Sequence, residues 1–129
     1  MEILIKKLDE RAILPAYETE AASGLKLHAL DEVTIESGQT ASVSTGIAMA
    51  LSVGYVGQIW DKHVMVTNES VRVNSSMIDS SFRGEIKIEM VNTGSEPVTI
   101  SAGDIIAQIL VQQVHRPYLI EAEDLSASQ

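Results

Sequence analysis

At 129 residues the chain is long enough for one domain to bury a real core without staples, and with no cysteine it excludes disulfides, thiolate metal sites and cysteine nucleophiles. Nine basic against eighteen acidic residues leave a net charge of −9, which repels nucleic-acid backbones and argues against sequence-independent DNA or RNA binding. A small anionic ligand stays compatible with that charge if backbone N–H groups, a few cations or a metal ion neutralise it locally.

Along the chain the apolar pattern has period two nearly everywhere. Met1 to Lys7 alternates loosely. Val33-Thr34-Ile35 precedes a turn at Glu36-Ser37-Gly38-Gln39, and a long strand is expected from Thr40 to Leu51. Further strands are expected over Tyr55–Trp60, Ser70–Val73, Glu85–Asn92, Val98–Ile100 and Ile105–Val114. The breaks between them hold Gly, Ser, Asn and Asp, as turns require. Many short strands at roughly 8–12-residue spacing argue for an all-β sandwich or barrel. A helical turn has room only in Asp61 to Asn68. One element recurs: Val33-Thr34-Ile35-Glu36-Ser37-Gly38-Gln39 is echoed by Val98-Thr99-Ile100-Ser101-Ala102-Gly103-Asp104, each a strand, a glycine turn and a longer strand. Two such hairpins fit a jelly roll, whose paired Greek keys put like turns at like corners.

No apolar run approaches the ~18 residues of a membrane span. Glu2, Lys6, Lys7 and Asp9 also lie where a signal peptide would be apolar. A soluble, cytoplasmic protein with no membrane partner is therefore expected.

The stretch richest in chemistry is Met77-Ile78-Asp79-Ser80-Ser81-Phe82-Arg83-Gly84, where a carboxylate stands three residues before an aromatic ring at the mouth of a strand. Such a pair can hold a water and stack a sugar. His28, His63 and His115 are too widely spaced for a zinc site. No P-loop, dinucleotide fingerprint or serine-nucleophile elbow is present. Trp60, the only tryptophan, is expected to fill core space rather than stack on a base.

Taken together, these segments resemble the trimeric dUTPase family through most of the chain. Ile13-Leu14-Pro15 with Ala22-Ser23-Gly24-Leu25-Lys26-Leu27-His28-Ala29 is similar to its first motif, and Gly57-Gln58-Ile59-Trp60-Asp61-Lys62-His63 stands where the second lies. Met77 to Gly84 resembles the third, and Gly103-Asp104-Ile105-Ile106-Ala107-Gln108-Ile109-Leu110 the fourth. The resemblance implies a jelly-roll (β-clip) homotrimer with active sites built between subunits. It divides the chain into a β domain at 1–118 and a short tail at 119–129.

Residue by residue, the resemblance makes Asp79 the general base that orients and deprotonates a water. It sets Phe82 under the deoxyribose, leaving no room for a 2′-hydroxyl, and puts Gln108 near the phosphates. Asn74 is a base contact, in a hairpin that looks short, with Ser76 where a glycine is expected. Two motifs depart from the pattern. Lys26 replaces the acidic residue that helps hold hydrated Mg²⁺, and an ammonium repels that ion. It stands either as a substitute cation or as a surface or salt-bridged lysine. Asp61-Lys62-His63 replaces Pro-Arg-Ser, so Lys62 keeps charge without the bidentate fork, His63 is a phosphate contact or a bystander, and Asp61 intrudes a negative charge. Residues 119–129 contain no glycine and no basic residue, unlike the family's Gly-rich fifth motif, which crosses to a neighbour as a lid.

These departures lead to the expectation of a degenerate nucleotide site, with weak or no dUTP hydrolysis, on a binding, regulatory or structural trimer. The alternatives are an active dUTP diphosphatase, or related deoxynucleotide pyrophosphatase, that uses Mg²⁺, and a purely structural self-assembling β domain. No protein-held metal site is expected.

Overall fold

A computed structural model describes residues 2–61 and 70–126. All regular structure in these residues is β. The strands are β1 (Leu4–Lys7), β2 (Leu25–His28), β3 (Val33–Ile35), β4 (Thr40–Ser44), β5 (Ile47–Ala50), β6 (Tyr55–Trp60), β7 (Val71–Val73), β8 (Ser76–Ile78), β9 (Lys87–Asn92), β10 (Val98–Ile100) and β11 (Ile105–Gln113). They form a four-stranded sheet β2-β11-β6-β8, a three-stranded sheet β4-β9-β7, and the pairs β1-β5 and β3-β10. Every ladder is antiparallel.

The core lies between the inward faces of these sheets. Leu25, Leu27, Ile59, Ala107 and Ile109 from the four-stranded sheet share one cluster with Val43, Val71, Ile88 and Met90 from the three-stranded one. Ile35, Ile100, Ile47 and Met49 join that cluster from the two pairs. The filling is aliphatic, as a chain with 4% aromatic residues requires. Gly57 keeps β6 tight on β11, since a Cβ there would meet Ile109 Cδ1 at 2.7 Å.

The two recurring sequence elements turn out to be partners. Thr34 pairs with Thr99 in the β3-β10 ladder, and their hydroxyls hydrogen-bond at 3.0 Å. Each following turn closes on itself, Gln39 N–H donating to Glu36 O (3.0 Å) and Asp104 N–H to Ser101 O (3.1 Å). Gly38 and Gly103 sit at φ 74° and 89°, the third-position geometry of a type II turn.

The expected hairpins of β3 with β4 and of β10 with β11 do not form, because β3 and β10 pair with each other. The structure departs from the sequence expectation in three further places. The segment from Thr40 to Leu51 is two strands in different sheets, because the chain breaks at Thr45-Gly46. Gly46 takes φ 72°, and the buried Thr45 hydroxyl donates to Ile86 O at 2.6 Å. Second, β7 and β8 form no hairpin: β7 pairs with β9 and β8 with β6, so the chain changes sheets at Asn74-Ser75. Third, β2 and β8 are strands within stretches whose alternation is too short to stand out. The helical turn expected in Asp61 to Asn68 lies outside the described residues, except for Asp61 itself.

Candidate active site

Edge strand β8 ends at Ile78 and delivers Asp79 directly into a turn. Phe82 N–H donates to Asp79 O at 3.0 Å, closing the Asp79–Phe82 reversal. The Arg83 guanidinium folds back onto the carbonyls of Ser80 and Phe82 and braces it. Both named side chains are exposed, Phe82 at 39%. Among the described residues the Asp79 carboxylate has no hydrogen-bond or ion-pair partner, so its lone pairs are available to a water. The Phe82 ring lies against Gly84, where a Cβ would sit 2.9 Å from Cζ. Glu85 anchors the exit of the loop by accepting Gly46 N–H at 2.9 Å.

A second group of polar residues lies on the outward face of the same sheet. In the ladders of β11, Gln108 is opposite Lys26 on one side and Trp60 on the other, giving a cross-strand row of ammonium, carboxamide and indole. Leu25, Leu27, Ile59 and Ile109 take the inward face, and strand alternation turns their neighbours outward. Trp60 is therefore 45% exposed, not a core filler: Ile59 holds the core position, and register sends the indole out. Lys26 is half-buried and, among the described residues, pairs with no carboxylate. Its backbone N–H donates to Ala16 O at 2.9 Å, tying the 13–16 segment to β2.

Gln108 Nε2 donates to Asp61 O at 3.4 Å, and the Asp61 carboxylate accepts Val73 N–H, also at 3.4 Å. Asp61 thus turns a carboxylate oxygen towards the end of β7. Its role escaped the sequence because the link to Val73 depends on sheet topology. His28 Nδ1 contacts Gly103 O at 3.0 Å and fastens β2 to the β10–β11 turn. Asn74 is exposed at the sheet switch, with its N–H committed to Glu89 O at 2.9 Å, so only its side chain and carbonyl remain for a ligand. Lys62 and His63 lie outside the described residues.

Within one chain the two groups stand apart. Ile78 is opposite Gly57, whereas Gln108 is opposite Trp60, with β6 between β8 and β11. Four residue steps along the strand and two strand spacings across put Asp79 and Gln108 roughly 16 Å apart. That is too far for an aspartate and a glutamine to share one phosphate group.

A family model described as dUTPase matches residues 10–129. The chain belongs to the dUTPase family. Among curated dUTPase relatives, a deoxyuridine 5′-triphosphate nucleotidohydrolase of Helicobacter pylori is 38% identical over 127 residues, covering 97% of this chain and 88% of the relative. One from Hydrogenobaculum sp. is 40% identical over 132 residues, covering 100% of this chain and 92% of that protein. Among solved structures, a mutant of the dUTPase from phage phi11 of S. aureus superposes with a TM-score of 0.90 at 18% identity, covering 98% of this chain and all of that one. That likeness establishes the dUTPase fold and agrees with the jelly-roll expectation.

The dUTPase resemblance assigned a Mg²⁺-holding carboxylate to the position of Lys26. Among the described residues no three His, Asp or Glu side chains converge as a metal site. Nor is any helix among them long and apolar enough to cross a membrane.

Proposed function

We propose that the chain is an active dUTP diphosphatase, converting dUTP and water to dUMP and diphosphate as a homotrimer. Its relatives are named deoxyuridine 5′-triphosphate nucleotidohydrolases, which supports an active hydrolase over the degenerate site suggested by the motif departures. The observation carrying the reading is the Asp79–Phe82 turn, with a carboxylate that has no partner among the described residues and an exposed ring on a braced loop.

In this reading Asp79 accepts a proton from a bound water as its oxygen attacks the α-phosphorus. The bond from that phosphorus to the bridging oxygen then breaks and diphosphate leaves. Phe82 packs under the deoxyribose and excludes a 2′-hydroxyl. Asn74 offers its carboxamide to the base. Gln108, Lys26, Lys62 and His63 share the phosphate charge, Lys26 as a fixed cation. No step is routed through a protein-held ion, and any Mg²⁺ would arrive on the phosphates. The separation of Asp79 from Gln108 in one chain supports a site completed by a neighbouring copy, as in a trimer. Residues 1–118 are taken as the β domain, 119–129 as a tail, and the compartment as the cytoplasm.

Lys26, Asp61 and a 119–129 segment without glycine or a basic residue favour the second reading, a degenerate site. Diphosphate release from dUTP separates the two, since turnover near ~1 s⁻¹ or above is ordinary for an enzyme. Asp79→Asn should abolish that turnover and leave the melting temperature unchanged. Activity persisting in the variant would remove Asp79 as the base.

A further inference from the structure

We infer that Gly24 is a positioning residue for Gln108, because the carboxamide occupies the space that any side chain at residue 24 would fill. A Cβ built on Gly24 meets Gln108 Oε1 at 2.5 Å, Cβ at 3.0 Å and Cδ at 3.1 Å. The severe contact is with Oε1 at the tip, but Cβ and Cδ are also closer than ordinary contact, so after the tip turns the rest of the side chain must still give by a few tenths of an ångström. Backbone strain is not the reason for glycine here, since Gly24 is absent from the positive-φ glycines. The requirement is purely one of space.

What the glycine secures is an orientation. With Oε1 against residue 24 and Nε2 donating to Asp61 O, the Gln108 carboxamide is held from both ends. Gly24 comes immediately before β2, and the pairing of Lys26 with Gln108 fixes how closely β2 approaches β11 at this row. The approach and the amide orientation are thus one arrangement. An alanine would push Gln108 out of the row between Lys26 and Trp60 and break its contact with Asp61.

The inference rests on the reading of Gln108 as a phosphate-side contact, and a double-mutant cycle keeps the two separable. Wild type, Gly24→Ala, Gln108→Ala and the double variant are compared by thermal melting without nucleotide, and by calorimetric binding of deoxyuridine α,β-imidotriphosphate. Gly24→Ala should lower the melting temperature when Gln108 is present and lower it much less when Gln108 is alanine. It should weaken analogue binding by about tenfold in the first background and by less than about twofold in the second. Equal losses in both backgrounds, the additive result of a merely structural glycine, would overturn the inference, as would an alanine that changes neither quantity. If wild type fails to bind the analogue, the nucleotide reading falls and the binding role of Gly24 with it. The nucleotide-free cycle then still decides whether Gly24 holds Gln108 in place.

Discussion

Mixing two inactive variants tests whether the site is shared between copies. Asp79→Asn removes the base, and Gln108→Glu sets a carboxylate against the phosphates, a like-charge clash worth several kcal/mol and so roughly a hundredfold or more in activity. Register puts these residues roughly 16 Å apart in one chain, so the proposed site draws them from different copies. In a symmetric ring assembled at random from equal amounts, a site is intact when one copy supplies native Asp79 and its neighbour native Gln108. Each condition holds for half of the copies, so about a quarter of all sites are restored. Co-expression under two affinity tags, sequential purification and a diphosphate-release assay read the outcome. Sequential purification through both tags keeps only mixed trimers, each with one restored site of three, so recovery to about a third of wild-type turnover per site is expected. Activity no higher than that of the separate variants would refute the shared site and leave the separation of about 16 Å without a functional meaning.

Other consequences follow from single residues. Asn92 is fully buried, donates to Ile35 O and Glu96 O, and accepts Gly94 N–H, so Asn92→Ala strands three backbone groups. A loss of about 3 kcal/mol and a melting point lower by roughly 10 °C are expected by calorimetry, and a shift under about 2 °C would contradict this. Phe82→Ala should lower the preference for dUTP over UTP by roughly tenfold in competitive turnover, and an unchanged ratio would remove the ring from sugar selection. Asp9 accepts side-chain and backbone hydrogen bonds from Arg11, which hold its carboxyl below the usual 3.8. Because the folded-state value is depressed, this contribution to stability is present above pH 3.8 and is lost as the pH falls through the lowered value. A carboxyl NMR titration should show that low midpoint return towards 3.8 in Arg11→Ala.

Strand positions were legible wherever alternation ran long enough or turns bounded it sharply. Val33–Ile35, Tyr55–Trp60 and Val98–Ile100 have the expected limits. The β3 and β10 repeats were visible, yet that they pair with each other required the topology. The four residues of β2 and three of β8 were too few to signal a period, and β8 depends on pairing with Gly57–Ile59 rather than on its own composition. Trp60 was misjudged because apolar-inside is a one-way rule: register gave the core position to Ile59. Asp79 and Phe82 were legible as a pair because one turn holds them. The distance from Asp79 to Gln108, the turn of Asp61 towards Val73 and the dependence of Gln108 on Gly24 all arise between strands remote in sequence, where no local pattern reports them.

A crystal structure grown with deoxyuridine α,β-imidotriphosphate tests the central claim most directly. The account predicts the deoxyribose on Phe82 and the α-phosphate within one water of Asp79 from one copy, with the phosphate chain reaching Gln108 and Lys26 of its neighbour. A nucleotide contacting Asp79 and Gln108 of the same chain, or one bound away from Asp79 altogether, would contradict it.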